Sequence, residues 1–357
     1  MRVSVVVRSK DEADRLRLTL TSLAHQTEAA EVVVVDDGSL DHTPDVLKEA
    51  SGWMPLRVVR HATAMGRSGA ANAGARAASG DVVVFLDGDT LAGPEFVARH
   101  AAAHAADRAL VGRGETFHLR GTRFLQDPET GTPRPGEEGR LAGMPPGELA
   151  RLLVTRHDVI ERFEAIQRRA SPGIYPGSGP RQLYELEIDA LRHQPACGVL
   201  WAASSGSNLS VERELFLSVG SFDEQLDNNE HRELALRLCL GGARMVPILG
   251  ARTYHMTHRT GWRDPLAETG WEEKFYRAHP VLAVKLLSIF WASLDPHYRI
   301  PPAAQIKSLP ELETAARGVS GIDYDAIRRL IPALPELPPT PSGLPASSRA
   351  TAAVRRA

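Results

Sequence analysis

Cysteine is nearly absent: Cys197 and Cys239 are the only two in 357 residues. That excludes a disulfide scaffold and reads as a reducing compartment. An excess of charge of one sign is also missing, with Lys+Arg 42 against Asp+Glu 44. Without a broad basic field, nucleic-acid binding has no compositional support. No apolar run reaches the length of a membrane span. The nearest, Val281 to Leu294, is interrupted by Lys285 and Ser288 and reads as a core or surface-lying helix. It lacks a strongly basic face, so peripheral membrane contact is the weaker expectation, and core packing or a homodimer contact the stronger. A first strand from Val3 leaves no room for a signal peptide, and a cytoplasmic location is expected. The loop after that strand, Arg8-Ser9-Lys10-Asp11-Glu12, contains no glycine. The Gly-x-Gly-x-x-Gly dinucleotide fingerprint is therefore absent, and so is a Walker A loop. No internal repeat is present.

What the chain does have is alternation. Val3 to Val7 is a β-rich run, and Leu16, Leu20 and Leu23 then recur at helical spacing. Val32 to Val35 is a second strand, Leu56 to Val59 a weaker third and Val82 to Leu86 a fourth, with helices expected at Thr43-Pro44 onward, Gly69 to Ala78 and Pro94 to His104. Apolar strands without polar alternation imply a mostly parallel, doubly wound α/β sheet. From Arg120 to about Gly147 the composition turns to Gly, Pro, Glu, Arg and Thr, opening a loop-rich excursion 120–181 that either shapes a substrate site or is plainly solvated. Within it Leu149 to Arg168 reads as a charged helix, and later Glu230 to Leu240 looks helical and Met245 to Leu249 strand-like. The expected division is 1–110, 111–265, a helical extension 266–334 and a disordered tail 335–357 rich in Pro, Ser, Ala and Arg.

Two of the strands end in acids. Val82 to Leu86 runs into Asp87-Gly88-Asp89, and Val32 to Val35 into Asp36-Asp37-Gly38-Ser39. The carboxyl ends of strands form the ligand crevice of open α/β sheets. A divalent cation with a diphosphate gives such acids a purpose there, and Gly88 permits close approach.

In family order, these segments resemble the family 2 glycosyltransferases of the GT-A fold, a nucleotide-diphospho-sugar transferase, Rossmann-like three-layer sandwich. Val3 to Val7 with Lys10-Asp11-Glu12-Ala13 resembles the opening strand and nucleotide loop. Val35-Asp36-Asp37-Gly38-Ser39 resembles the uridine-recognition turn, and Asp87-Gly88-Asp89 the metal-binding DxD motif. Ser205 to Ser210 and Gly220 to Glu224 are similar to the acceptor-side segment, and Glu230-His231-Arg232-Glu233-Leu234 to the stretch with the Glu-Asp pair. The resemblance implies a metal-dependent enzyme moving a single sugar from a nucleotide-sugar, UDP-sugar first and GDP-sugar second. The acceptor would be a small molecule, a glycan or a lipid-linked hydroxyl. It assigns donor binding to Arg8, Lys10, Glu12, Asp37, Arg67, Asp87 and Gly88. It assigns Mn2+ or Mg2+, with Mn2+ favoured, to Asp89 and Asp87 with His255 or His258. Where the family carries its catalytic Asp this chain has His231, beside Glu230. Glu230 is the first candidate for the base and His231 the second. A retaining transferase, a nucleotidyltransferase and an inactive sugar-nucleotide-binding protein remain as alternatives.

Overall fold

The computed structural model describes residues 1–172, 183–258, 265–319 and 321–340. Its main sheet contains β1 (Val3–Ser9), β2 (Glu31–Asp36), β3 (Leu56–Arg60), β4 (Val82–Asp87), β5 (Thr90–Ala92) and β6 (Leu110–Leu119). After a separate hairpin, β7 (Leu125–Asp127) and β8 (Thr132–Pro133), it gains β9 (Ser171–Pro172), β10 (Leu209–Glu212) and β11 (Arg244–Met256). The order is β3-β2-β1-β4-β10-β6-β11-β5, with β9 on β6.

Valines of alternating parity divide between two cores. Val5, Val7, Val32, Val34, Val84 and Leu86 pack with the helices α1 (Ala13–Ala24), α2 (Thr43–Ala50) and α4 (Phe96–Ala106). Val6, Val33, Val83 and Phe85 pack on the other face with α3 (Gly66–Ala77) and the later helices. The Val281 to Leu294 run is the helix Leu282–Ser293, whose Leu286, Ile289, Phe290 and Trp291 belong to this second core. Lys285, which interrupts the run, is buried and paired to Asp325 at 2.5 Å. Arg328 and Glu272 form another buried ion pair there. The start of the tail is tied down, since Tyr276 donates to Thr340 (2.8 Å) and Arg328 to the Pro335 carbonyl (3.0 Å).

The sheet corrects the expectation of a mostly parallel arrangement, because it is mixed. The pairs β1–β2, β1–β4, β2–β3 and β6–β11 are parallel, whereas β4–β10, β6–β10, β5–β11 and β6–β9 are antiparallel. β10 starts opposite Phe85, near the carboxyl end of β4, and so must run back against it. The single charged helix expected over Leu149 to Arg168 is instead three short ones, Pro146–Leu152, Arg156–Glu161 and Phe163–Arg169. Thr155 caps the second of them, accepting from the Asp158 N–H, and Arg162 leaves the helical region at φ −141. Residues 173–180, a Gly/Pro-rich stretch near the end of the excursion that reads as a loop, lie outside the described residues.

Two histidines of α4 are buried against β10. His100 bonds Ser210 Oγ (2.8 Å) and Asn208 Oδ1 (2.9 Å), and His104 Nε2 bonds the same Ser210 Oγ (2.9 Å). Burial pushes His100 down to about 3 and His104 to about 4. Both are neutral in the native fold, whereas the unfolded chain takes up these protons below about pH 6.5. Their contribution is therefore complete above that pH and is lost as pH falls from 6.5 towards 4 and then 3. Each histidine should lower stability by roughly 1.4 kcal/mol per pH unit in that window. Urea unfolding at pH 7.5, 6 and 5 measures the slope. A His104→Gln variant with the same slope as the parent would contradict the assignment.

Candidate active site

A cavity of about 740 Å³ opens where β1, β2 and β4 end, and the segments 204–207, 227–232 and 255–258 form its other walls. Parallel pairing brings Arg8 of β1 level with Asp87 of β4, and β2 brings Asp36 beside Ser9. The acids that end separate strands thus meet at one edge.

Among the donor-side residues named from the sequence, Lys10 and Arg67 are exposed on the cavity rim. Asp37 is buried and heavily committed. Its Oδ1 accepts from the Met65 N–H (2.8 Å) and contacts His61 Nδ1 (2.7 Å), and its Oδ2 accepts from the Gly66 N–H (3.0 Å). It thereby anchors the start of α3. Gly88 lies so close to the loop Arg8–Glu12 that a Cβ would stand 2.5 Å from Glu12 Oε1 and 2.8 Å from Ser9 Cβ. Burial, then the charges of Asp89 and Asp87, push Glu12 well above the usual carboxylate range. Asp87 itself is held by Arg8, whose Nη2 donates to Asp87 Oδ1 (2.5 Å) and to the Gly206 carbonyl (3.0 Å).

The two aspartates of the Asp-Gly-Asp motif therefore part company. Asp89 joins the histidines, with His255 Nε2 at 3.1 Å and His258 Nε2 at 2.7 Å from its Oδ2. The ligand atoms of these three residues lie within 4.8 Å of one another, and Asp87 is outside the group. The backbone explains the meeting. A register shift between Ile248 and Arg252 of β11 is followed by antiparallel pairing with β5, which sets His255 opposite Thr90. The Met256 N–H then donates to the Asp89 carbonyl (2.9 Å). Burial opposes ionisation of Asp89, yet the His255 and His258 imidazoles outweigh it and hold the carboxyl well below its usual range. For His255 the burial penalty is overcome by Asp89 and its pKa is raised, whereas burial prevails at His258 and lowers it. One carboxylate and two imidazoles are a donor set that fits Mn2+ or another first-row divalent ion better than Ca2+.

His118 is a neighbour of this group that sequence reasoning missed. Its Nδ1 lies 3.2 Å from His255 Nδ1, and burial with the neighbouring charges pushes it down to about 3. Only the β6–β11 register, which pairs His118 with His255, could have revealed it.

Across the cavity, Glu230 begins the helix Glu230–Leu240, after Asn229 in the left-handed region at φ 64. Its Oε1 is 3.4 Å from Arg8 Nη1. Burial disfavours its charge, but the adjoining His231, Arg8 and Arg67 more than offset that and hold Glu230 far below the usual carboxylate range. His231 is pushed down by burial and by Arg232. A Cβ on Gly206 would stand 3.2 Å from His231 Nδ1 and 3.4 Å from Glu230 Oε1, so glycine keeps this corner open.

The excursion does border the site, through Gln126 and Arg134. Buried Arg15 of α1 fastens it, donating to the carbonyls of Gln126 (2.9 Å) and Leu125 (2.7 Å). Trp201 is core, packed on Phe275. Trp271 is also core and donates to the Pro265 carbonyl (3.1 Å). Arg259, Trp262 and Arg263, a polar stretch after the histidines whose sequence suggests a lid or phosphate contacts, lie outside the described residues.

The family model "Glycosyl transferase family 2" matches residues 4–145, which include β1, the Asp37 turn and the Asp-Gly-Asp motif. Validoxylamine A glucosyltransferase of Streptomyces hygroscopicus subsp. jinggangensis is 29% identical over 355 residues, covering 95% of this chain and 73% of that protein. Mannosyltransferase PcManGT from Pyrobaculum calidifontis, solved with GDP-Man and Mn2+, is 17% identical with a TM-score of 0.51, covering 92% of this chain and 78% of that one. S. aureus TarS is 18% identical with a TM-score of 0.49, covering 82% of this chain, which spans 42% of TarS. Residues 4–145 of this chain thus match the family 2 glycosyltransferases, and its mixed sheet flanked by helices is a GT-A-like fold.

Proposed function

We propose that the enzyme is metal-dependent, that it moves a single sugar from a UDP-sugar, with a GDP-sugar as second choice, and that it inverts configuration with Glu230 as base. The observation that carries this reading is one cavity holding both the Asp89–His255–His258 group and, separately, an ionised Glu230. Mn2+, with Mg2+ as second choice, would be held by Asp89, His255 and His258 and would stabilise the charge on the departing diphosphate. Asp37, Lys10 and Arg67, which lie on the wall of the same cavity, are assigned to the nucleotide side. Glu12 lines the cavity between them, with Gly88 packed behind it.

The choice of Glu230 over His231 follows from donor and acceptor capacity. His231 Nε2 is 2.8 Å from Arg232 Nη1, and a guanidinium only donates. The Nε2 lone pair is therefore occupied, and the neutral ring carries its proton on Nδ1. Such an imidazole has no lone pair left to take an acceptor proton. Glu230 has one, and it needs to accept that proton only as the new glycosidic bond forms. A single-sugar product is also supported by the glucosyltransferase name of the relative aligned over most of the chain. Among the described residues no helix is long and apolar enough to cross a membrane, and Cys197 and Cys239 are both free. We assign a cytoplasmic location on those grounds. Residues 1–110 form the donor half, 111–265 the acceptor half, and the helices beyond complete the second core.

Incubation with UDP-glucose, UDP-N-acetylglucosamine and GDP-mannose, with and without Mn2+, tests the reading. Release of nucleoside diphosphate that depends on Mn2+ is expected, with UDP-sugars ahead. Pyrophosphate release would instead mark a nucleotidyltransferase. Tight UDP binding without hydrolysis or transfer would mark an inactive binding protein.

A further inference from the structure

Arg232 determines which hydrogen-bonding groups the wall beside Glu230 offers. Its Nε donates to the Ala202 carbonyl (2.8 Å), its Nη1 to Asn229 Oδ1 (2.9 Å) and His231 Nε2 (2.8 Å), and its Nη2 to Glu187 Oε1 (3.1 Å). Since arginine has no acceptor atom, both neighbours must turn their lone pairs toward it. Asn229 is thereby left presenting Nδ2–H and His231 presenting Nδ1–H. Asn229 Nδ2 has no hydrogen-bond partner, the same holds for Asn228 Nδ2 and Ser204 Oγ, and His231 Nδ1 has only the Glu230 carboxylate near it, at 3.7 Å. All four residues line the cavity, and Asn229 and Ser204 are each 1% exposed. A buried donor left unmet costs about 1–3 kcal/mol, so a cluster of them is sensible only where a ligand satisfies it.

Resting on the glycosyltransferase reading above, we propose that this wall is the acceptor subsite and that the acceptor is a small polyhydroxylated molecule, a sugar or cyclitol. Its oxygens accept from the Asn229 and Asn228 amides and the His231 imidazole, and Ser204 serves as donor or acceptor. One further hydroxyl faces Glu230. A lipid phosphate would need a cation here. Arg232 and Arg113, however, both hold Glu187, the latter at 2.6 Å, Arg8 is paired with Asp87 and Glu230, and Arg67 stands on the exposed rim, so the wall itself offers neutral donors. An apolar alcohol would leave the donors unmet. The histidine at the position where the family carries aspartate then has a purpose: it supplies an N–H where a carboxylate could only accept. Arg232 acts as a positioning residue for both groups.

The test uses the full chain with Mn2+ and whichever donor the wild type hydrolyses. Glucose, myo-inositol, octanol and a polyprenyl phosphate are offered as acceptors. Transfer to at least one of the two polyols is expected. Asn229→Asp and Asn229→Gly, both compatible with φ 64, should raise the polyol KM by roughly tenfold or more, the scale of a lost buried hydrogen bond. UDP affinity by calorimetry should stay within about twofold, because neither change removes a nucleotide contact. The inference is overturned by transfer only to octanol or the polyprenyl phosphate, by an unchanged polyol KM in both variants, or by polyols that neither bind nor accept sugar while UDP binds. A wild type that binds no UDP in the presence of Mn2+ would count against the underlying reading instead.

Discussion

Glu230→Gln should cut the transfer rate by roughly two orders of magnitude or more while UDP affinity barely changes. That is the usual scale for removing a positioned acid or base. The amide keeps the size of the carboxylate and an oxygen for Arg8, so the pocket stays filled and only proton acceptance is lost. The charges that hold Glu230 ionised also set the pH behaviour. Its carboxyl lies far below the usual carboxylate range, so the wild-type rate should show no acid limb from this group at ordinary assay pH. His231→Ala should be milder, within roughly tenfold, because it removes a donor and a packed ring but not the proposed base. Rates of both variants between pH 5 and pH 9, with NMR of the product's anomeric configuration, decide the matter. A limb near neutrality that vanishes only in the His231 variant would make the imidazole the base. Equal, mild losses with retained configuration would leave both residues as acceptor-site structure.

The first half of the sheet is legible in the sequence because buried strands leave a local mark. Val3 to Val7, Val32 to Val35 and Val82 to Leu86 must be apolar on both faces, and the first acids after the last two have to sit at the crevice. The Glu230 helix leaves a local mark too, its Leu234 and Leu238 being buried one turn apart. The parts that fail are those decided by pairing. Asp87 and Asp89 read as equivalent in the chain, yet Arg8, level with Asp87 across two strands, takes the first carboxylate and the β11 shift delivers histidines to the second. The charge of Leu149 to Arg168 resembles that of a long solvated helix, but Thr155 restarts the helix locally. The orientation of the His231 ring depends on Arg232, its neighbour in sequence, yet only the fold shows which nitrogen that arginine meets.

Asp89→Asn should lower Mn2+ affinity by at least about a hundredfold and remove nearly all turnover. Changes in the outer partners of a metal ligand already cost about 10–100-fold, and this change removes the carboxylate itself. Asp89 is also the group around which His255 and His258 converge, at 3.1 and 2.7 Å. Without its charge the two imidazoles lose their common partner, and His255→Ala should fall in the same range. Asp87→Asn should behave differently. Its partner in the fold is Arg8, at 2.5 Å, so its loss frees a guanidinium that also reaches Glu230. Metal affinity should drop by no more than about tenfold there, while the reaction suffers through the disturbed Arg8–Glu230 pair. Calorimetric titration of each variant with Mn2+ alone, without donor, separates the two aspartates independently of activity. Comparable loss of binding in both would make Asp87 a ligand that releases Arg8 when the ion arrives. Full turnover of the Asp89 variant after treatment with a chelator would remove the metal from the mechanism.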